Sequence, residues 1–284
     1  MYLYLCQRIS RGEEFILDET DAKKILFQAA KSDDAFVIFY LHNHGLISLD
    51  ATDDKEKTAM FYANENKNTN ALYELIKCDA NFELDDIDDD CAKDVLFKAV
   101  EMDSGHVIWR LDWEGLDLNA TDDEGKTAVF YANKNKCTYA IYELIKCDAN
   151  FELDDIDDDC AKDVLFKAVE MDNSYVIWRL HMVRLDLDAT DDEGKTAVFY
   201  ANKNKCTDAL YELIKCDANF KLDDIHDDCA KDVLFKAVEM DNSYVIWRFY
   251  MVGLDLDATD DQGKTAVCYA SNKNKCTDAL YELI

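Results

Sequence analysis

Apolar residues recur at helical spacing in short runs along the chain, and the runs come in pairs. In GKTAVFYANKNKCTDALYELIKCDANF, Val198 and Ala201 mark one stripe, and Leu210, Leu213 and Ile214 a second. In the stretch from Asp163 to Ala189, Val164, Leu165 and Ala168 are followed by Val176, Ile177 and Leu180. Spacings of three and four put each set on one face of a helix, so each stretch predicts a helix pair. Residues able to accept hydrogen bonds from free helix amides stand where the helices should begin: Thr196 and Thr207 in one stretch, Asp163 and Asn173 or Ser174 in the other. Gly45, Gly115 and Gly253 fall just past second helices, where a left-handed residue closes the turn. Arg184 takes that place in the third copy and Asp217 the matching place in the other stretch, each with an expected strain of about 1 kcal/mol.

The two stretches alternate at a fixed period. LDAT begins at Leu49, Leu187 and Leu256 and its variant LNAT at Leu118, in steps of 69 residues. Such a period is the signature of a stacked array, in which each repeat buries its apolar face against its neighbours. Acidic, turn-prone segments of the type LDATDDEGK and ELDDIDDDCAK separate the helix pairs.

With these units in register, the chain resembles an ankyrin-repeat protein. The family pattern D-x-x-G-x-T-P-L-H-x-A, then V-V-x-L-L-L-x-x-G-A-D-V-N, falls on Asp191, Gly194, Thr196, Val198 and Ala201, then Leu210, Leu213, Ile214, Ala218, Asn219 and Phe220. The other stretch keeps the apolar skeleton in Leu165, Ala168, Val176, Ile177, Leu180, Leu187 and Ala189. The resemblance implies an all-α ankyrin-repeat solenoid of about eight helix-turn-helix repeats with acidic fingers between helix pairs, near residues 20–51, 52–86, 87–120, 121–155, 156–189, 190–224, 225–258 and 259–284. Residues 1–19 do not match and are expected to form an N-terminal cap or arm, with Tyr2, Leu3, Tyr4, Leu5, Phe15 and Ile16 covering the first apolar face. The chain has no proline, so the TPLH of the family reads TAVF or DVLF here, which softens the helix start without changing the fold. The last repeat inserts Ser271 and is incomplete, leaving an apolar face at Ile284 that invites end-to-end self-association or marks a longer array cut short.

Charge narrows the choice of partner. The 284 residues carry 31 Lys and Arg against 61 Asp and Glu, a formal net charge of −30, while 49% hydrophobic content indicates a folded chain. That charge repels nucleic acid and anionic membranes and favours a basic protein segment. In the ankyrin family the fingers and the inner helices bind protein partners. The resemblance therefore points to Asp122, Asp123 and Glu124; Asp154, Asp155, Asp157, Asp158 and Asp159; Asp191, Asp192 and Glu193; and Asp223, Asp224, Asp227 and Asp228 as the partner-binding residues. The plainer reading of the same residues is a solvated edge that keeps the array soluble. Trp109, Trp178 and Trp247 recur at one site, each followed by an arginine (Arg110, Arg179, Arg248). They form either an exposed second binding face or a stripe packed between helices, with the arginine stacked on it or paired to an aspartate. Lys134 and Lys136, Lys203 and Lys205, and Lys273 and Lys275 occupy the NKNK turns at the opposite edge, which predicts a charge-segregated surface.

Chemistry is otherwise sparse. Most of the 11 cysteines recur with the period, as in Cys78, Cys147 and Cys216 or Cys91, Cys160 and Cys229, so they are duplicates of free thiols rather than disulfide pairs. The histidines (His42, His44, His106, His181, His226) share no ligand spacing. Along DDIDDD, an EF-hand beginning at Asp86, Asp88 and Asp90 would need Gly and Glu where Cys91 and Phe97 stand, so no metal or cofactor is expected. No GxSxG, HExxH or phosphate-cradling loop is present, and the acidic surroundings of Cys229 and His226 disfavour a thiolate. The N-terminal apolar run is too short for a signal peptide and no run approaches a membrane span, which suggests a cytoplasmic or nuclear protein. The expected function is a non-enzymatic interaction scaffold that holds a basic protein segment along its acidic finger and concave surface. The alternatives are a self-associating structural array and the targeting module of a larger effector.

Overall fold

A computed structural model describes residues 17–260, 262–272 and 276–283 and divides the chain into two compact units, one up to Asn150 and one from Phe151. The expected N-terminal arm, apart from its last residues, lies outside the described residues, as do Lys273, Lys275 and Ile284. Among the described residues all regular structure is helical apart from single bridges between threonines. The first unit holds α1 (Glu19–Lys31), α2 (Ala35–Asn43), α3 (Ala59–Glu65), α4 (Thr69–Lys77), α5 (Asp89–Glu101), α6 (Gly105–Trp113), α7 (Ala128–Lys134) and α8 (Thr138–Lys146). The second holds α9 (Asp158–Glu170), α10 (Ser174–Met182), α11 (Ala197–Asn204), α12 (Thr207–Lys215), α13 (Asp227–Glu239), α14 (Ser243–Val252), α15 (Ala266–Asn272) and α16 (Thr277–Glu282). Within each unit the odd-numbered helices pack in one layer, here called inner, and the even-numbered helices in a second, called outer. Within each unit α1 packs on α3, α5 on α7, α9 on α11 and α13 on α15, and the outer helices pack on one another in the same order. This is the helix-pair repeat architecture that the sequence resemblance implies.

Local chemistry explains where the helices start, and it differs from the sequence expectation at two places. Thr58, Thr127 and Thr196 cap α3, α7 and α11, each hydroxyl accepting from the backbone N–H three residues on. Thr207, expected to do the same, lies inside α12, whose N-cap is Cys206 and makes no side-chain cap bond. The amide is satisfied from the preceding repeat instead. Asp33, Asp103, Asp172 and Asp241 sit in left-handed turns (φ 57°, 48°, 49° and 52°). Their Oδ1 atoms accept the N–H of Ala71, Ala140, Ala209 and Ala279 at 2.7–2.9 Å. Aspartate tolerates that backbone region because its short polar side chain bonds locally. Asp163, expected at a helix start, is in the interior of α9, which begins five residues earlier. The acidic loop supplies its own cap, Asp157 accepting from the Cys160 N–H at 2.9 Å, and its following carboxylates favour the positive end of the helix dipole.

The core is the expected apolar face. Leu96, Ile108, Leu111, Ile141 and Leu144 in the first unit, and Val164, Leu165, Val233 and Phe249 in the second, have essentially no exposure. Burial of this kind, repeated at every layer, supplies most of the stability of such an array. The expected left-handed residues at Arg184 (φ 70°) and Asp217 (φ 69°) are observed, alongside Gly45, Gly115 and Gly253.

Candidate functional site

The last three copies of the LDATDDEGKT segment form tight hairpins closed by a threonine bridge, Thr121 with Thr127, Thr190 with Thr196 and Thr259 with Thr265. The first aspartate of the segment holds the turn from inside. Asp122 Oδ1 accepts the N–H of Glu124 at 2.9 Å and of Lys126 at 2.8 Å, while Oδ2 accepts the Tyr131 hydroxyl at 2.5 Å. Asp191 repeats the pattern with Glu193, Lys195 and Tyr200, and Asp53 and Asp260 repeat it with Tyr62 and Tyr269. The tyrosine hydroxyl, followed by the backbone donors, holds these carboxyls below their ordinary pKa. The same bond raises the tyrosines, Tyr200 to about 12. Asp122 and Asp191 are therefore half-buried parts of the turn, and the hairpin presents Asp123 and Glu124, or Asp192 and Glu193, at its exposed tip.

The DDIDDD loops divide their carboxylates in a similar way. Ile156 and Ile225 are buried and anchor the loops. Asp157 caps α9, and Asp155 Oδ2 accepts the Glu152 N–H at 2.8 Å. Asp159 and Asp228 lie 3.5 Å from Lys162 and Lys231 in surface pairs that contribute little. Asp154, Asp158, Asp223 and Asp227 are exposed and make no ion pair among the described residues. The Asp224 side chain lies outside the described residues. Loop position is fixed by the inner helix of the preceding repeat: Asn64 Oδ1 accepts the Asp88 N–H at 3.0 Å, and Asn202 Oδ1 accepts the His226 N–H at 2.9 Å.

The tryptophans face outward. Trp109, Trp178 and Trp247 are 39%, 39% and 42% exposed, so each ring is partly covered by its neighbours and partly open to solvent. Trp109 stacks with His106 and meets Trp113; Trp178 and Trp247 stack on Tyr175 and Tyr244. Helix register explains this, because Val107, Ile108 and Leu111 already occupy the inward face of α6. The following arginine turns inward. Arg110 donates to the carbonyls of Ile76 at 2.6 Å and Ala80 at 2.9 Å and lies over the Phe82 ring. Arg248 donates to the carbonyls of Ile214 and Ala218, lies over Phe220 and pairs with Asp217 at 3.1 Å. Arg110 and Arg248 thus satisfy free carbonyls at the end of the preceding outer helix, and the rings they lie over, Phe82 for Arg110 and Phe220 and Tyr244 for Arg248, are not the tryptophans.

A feature missed in the sequence is a cleft of about 530 Å³ on the inner layer of the first unit, lined by Asp94, Phe97, Lys98, Glu101, Tyr131 and Lys134 among others. The rings of Phe97 and Tyr131 meet edge to face, 5.6 Å apart. The sequence signal for it is the Asp and Phe of DVLF recurring with the Tyr of TAVFY, an aspartate that by position alone reads as a helix start. The periodic thiols are mostly buried. Burial, then the buried Glu74 and Glu212 carboxylates, pushes Cys78 and Cys216 up to about 12, so they are unreactive packing groups.

No family model and no curated protein matches the chain. Among solved structures it is similar to the ankyrin repeat domain of human ASB11, at 15% identity over 91% of this chain and 97% of that one, with a TM-score of 0.25. It is also similar to an ankyrin repeat domain from Acinetobacter baumannii AYE, at 20% identity over 67% and 96% with a TM-score of 0.28. A third is the ankyrin repeat domain of Bcl-3, a member of the IkappaB protein family, at 16% identity over 93% and 100% with a TM-score of 0.26. The helix pairs, hairpins and caps described above follow the 69-residue register of the sequence. Among the described residues no helix is long and apolar enough to cross a membrane.

Proposed function

We propose that the protein is a non-catalytic, protein-binding repeat array whose partner is a basic protein segment. The contacts would be made by the exposed hairpin tips Asp123, Glu124, Asp192 and Glu193 together with the loop carboxylates Asp154, Asp158, Asp223 and Asp227. The observation that carries this reading is the division of labour within the LDATDDEGK hairpins: the first aspartate fixes the turn, and the carboxylates that follow it are held out in solvent without an ion-pair partner among the described residues. Rigidly held charge of one sign accelerates encounter with an oppositely charged chain and contributes specificity through its spacing.

Neutralising the tips (Asp123→Asn, Glu124→Gln, Asp192→Asn and Glu193→Gln) should weaken binding of a synthetic polybasic peptide and flatten its dependence on salt. Unchanged affinity and salt slope would sink the reading. Sedimentation over a range of concentrations separates it from the self-associating array: a monomer throughout removes that alternative.

The exposed tryptophans support a second, apolar contact face, since aromatic side chains dominate interface energetics when a partner covers them. Trp178→Ser with Trp247→Ser should leave thermal stability nearly unchanged if the rings serve only a partner. A large loss of stability would return them to a packing role.

A further inference from the structure

The cleft between α5 and α7 differs between copies in a way that points to its occupant. In the first copy, between α1 and α3, the position of Asp94 is held by Lys24 and that of Glu101 by Lys31. Lys24 pairs with Asp21 at 3.1 Å, and the Lys31 ammonium lies 3.7 Å from the centre of the Tyr62 ring, closer than Lys134, Lys203 and Lys264 come to Tyr131, Tyr200 and Tyr269, at 5.8 Å each. In the later copies both positions are acidic: Asp94 and Glu101, Asp163 and Glu170, Asp232 and Glu239. The aromatic pair is kept, with Phe97 and Tyr131 5.6 Å apart, Phe166 and Tyr200 5.6 Å, and Phe235 and Tyr269 5.3 Å.

The other charges of the cleft are already engaged. Lys98 pairs with Glu101 at 3.1 Å, and Lys134 lies against the Tyr131 ring at 5.8 Å. Asp122 is taken up by Tyr131 and the hairpin amides. Asp94 is exposed and makes no hydrogen bond or ion pair among the described residues, and the same holds for Asp163 and Asp232. A second cleft of about 290 Å³ in the second unit is lined by Asp232 and Phe235 with Thr259, Asp260 and the Lys231–Asp228 pair, 3.5 Å apart. The chain also shows what fits such a set of groups, because Arg248 lies over Phe220 and near Tyr244 while its guanidinium pairs with Asp217.

We propose that Asp94, Phe97 and Tyr131, and their counterparts Asp163, Phe166 and Tyr200 and Asp232, Phe235 and Tyr269, are subsites for single arginine side chains of the partner segment. The aspartate takes the guanidinium edge and the rings take its planar face. A guanidinium can do both at once, whereas an ammonium is a point charge with no plane to stack. The inference deepens the basic-segment reading above and rests on it. In the second unit the two subsites are two helix layers apart, about 20 Å, which an extended chain spans in about six residues.

The test measures binding of a fluorescent Gly/Ser peptide with two arginines about six residues apart, and of its lysine isomer, to the full chain. The variants are Asp94→Lys, Asp163→Lys and Asp232→Lys combined, which install the residue that the first copy already tolerates, and Phe97→Leu, Phe166→Leu and Phe235→Leu combined. The expected result is a preference for arginine over lysine in the wild type that both variants abolish, with arginine-peptide affinity falling about tenfold. The hairpin-tip variant should weaken both peptides alike and keep the preference. If the wild type binds both peptides equally, or the cleft variants keep the preference, the subsite is overturned while loss of binding in the tip variant leaves the broader reading standing. If neither peptide binds the wild type, both fail.

Discussion

Aspartate is the residue this chain uses most variously, and its local donors decide what each copy does. Where a tyrosine hydroxyl and two amides converge, as at Asp122 and Asp191, the carboxylate is depressed below its ordinary range and the tyrosine is raised. The depressed carboxylate contributes stability that is present above its unfolded pKa and is lost as pH falls through the folded value. The raised tyrosine contributes stability that is present below about 10 and is lost as pH rises through its folded value. Tyr131→Phe with Tyr200→Phe should therefore lower Tm across the neutral range, and the gap from the wild type should close in acid and in strong alkali. A gap independent of pH in thermal melts would show that the bond contributes no pH-linked stability. Asp172 behaves oppositely. Desolvation raises its pKa despite the Ala209 amide bond, so its linkage favours the fold below the usual carboxylate range and fades as pH rises just above it. Asp172→Ala should cost about 0.5–2 kcal/mol through loss of the cap on α12. Asp172→Asn keeps the acceptor without the partly desolvated charge and should lie much closer to the wild type in urea unfolding.

At the scale of helices, the pairs were legible because the apolar spacing of three and four survives in every copy. The starts were less so. Thr196 read correctly as a cap because the bond it makes is local, three residues along the chain. Thr207 and Asp163 misled because the groups that satisfy the α12 and α9 amides come from another repeat, or from farther upstream. Trp109 and Arg110 show the same limit: adjacent in sequence, they point to opposite sides, and only the position of the neighbouring outer helix turns the arginine inward onto the Ile76 carbonyl. Core positions carry the usual penalty. Leu213→Ala in α12 removes a fully buried side chain and should cost about 2–5 kcal/mol by chemical denaturation, far more than any change at the hairpin tips.

For the whole molecule the dominant quantity is the net charge of −30. Self-repulsion at that charge destabilises compact states, and salt screens it over roughly 10 Å at about 0.1 M. Tm should therefore rise on going from about 10 mM to about 150 mM sodium chloride, whereas affinity for a basic peptide should fall over the same range. Opposite responses to one variable would be a clear signature of a surface that is costly to the free protein and useful to the complex. A Tm that stays flat with salt would show that the carboxylates are already compensated.

The sequence by itself determined the all-α class, the helix pairs, the ankyrin-type register and the excess of acid, because these depend on periodicity and composition, which are one-dimensional. Tertiary structure alone decided which carboxylates are consumed and which are presented. It placed Tyr131 against Asp122, set Phe97 beside Tyr131 with Asp94 left over, and rotated the tryptophans into solvent. Those outcomes depend on which donor, ring or carbonyl a neighbouring repeat brings within bonding distance, and a chain of identical letters carries no record of that distance.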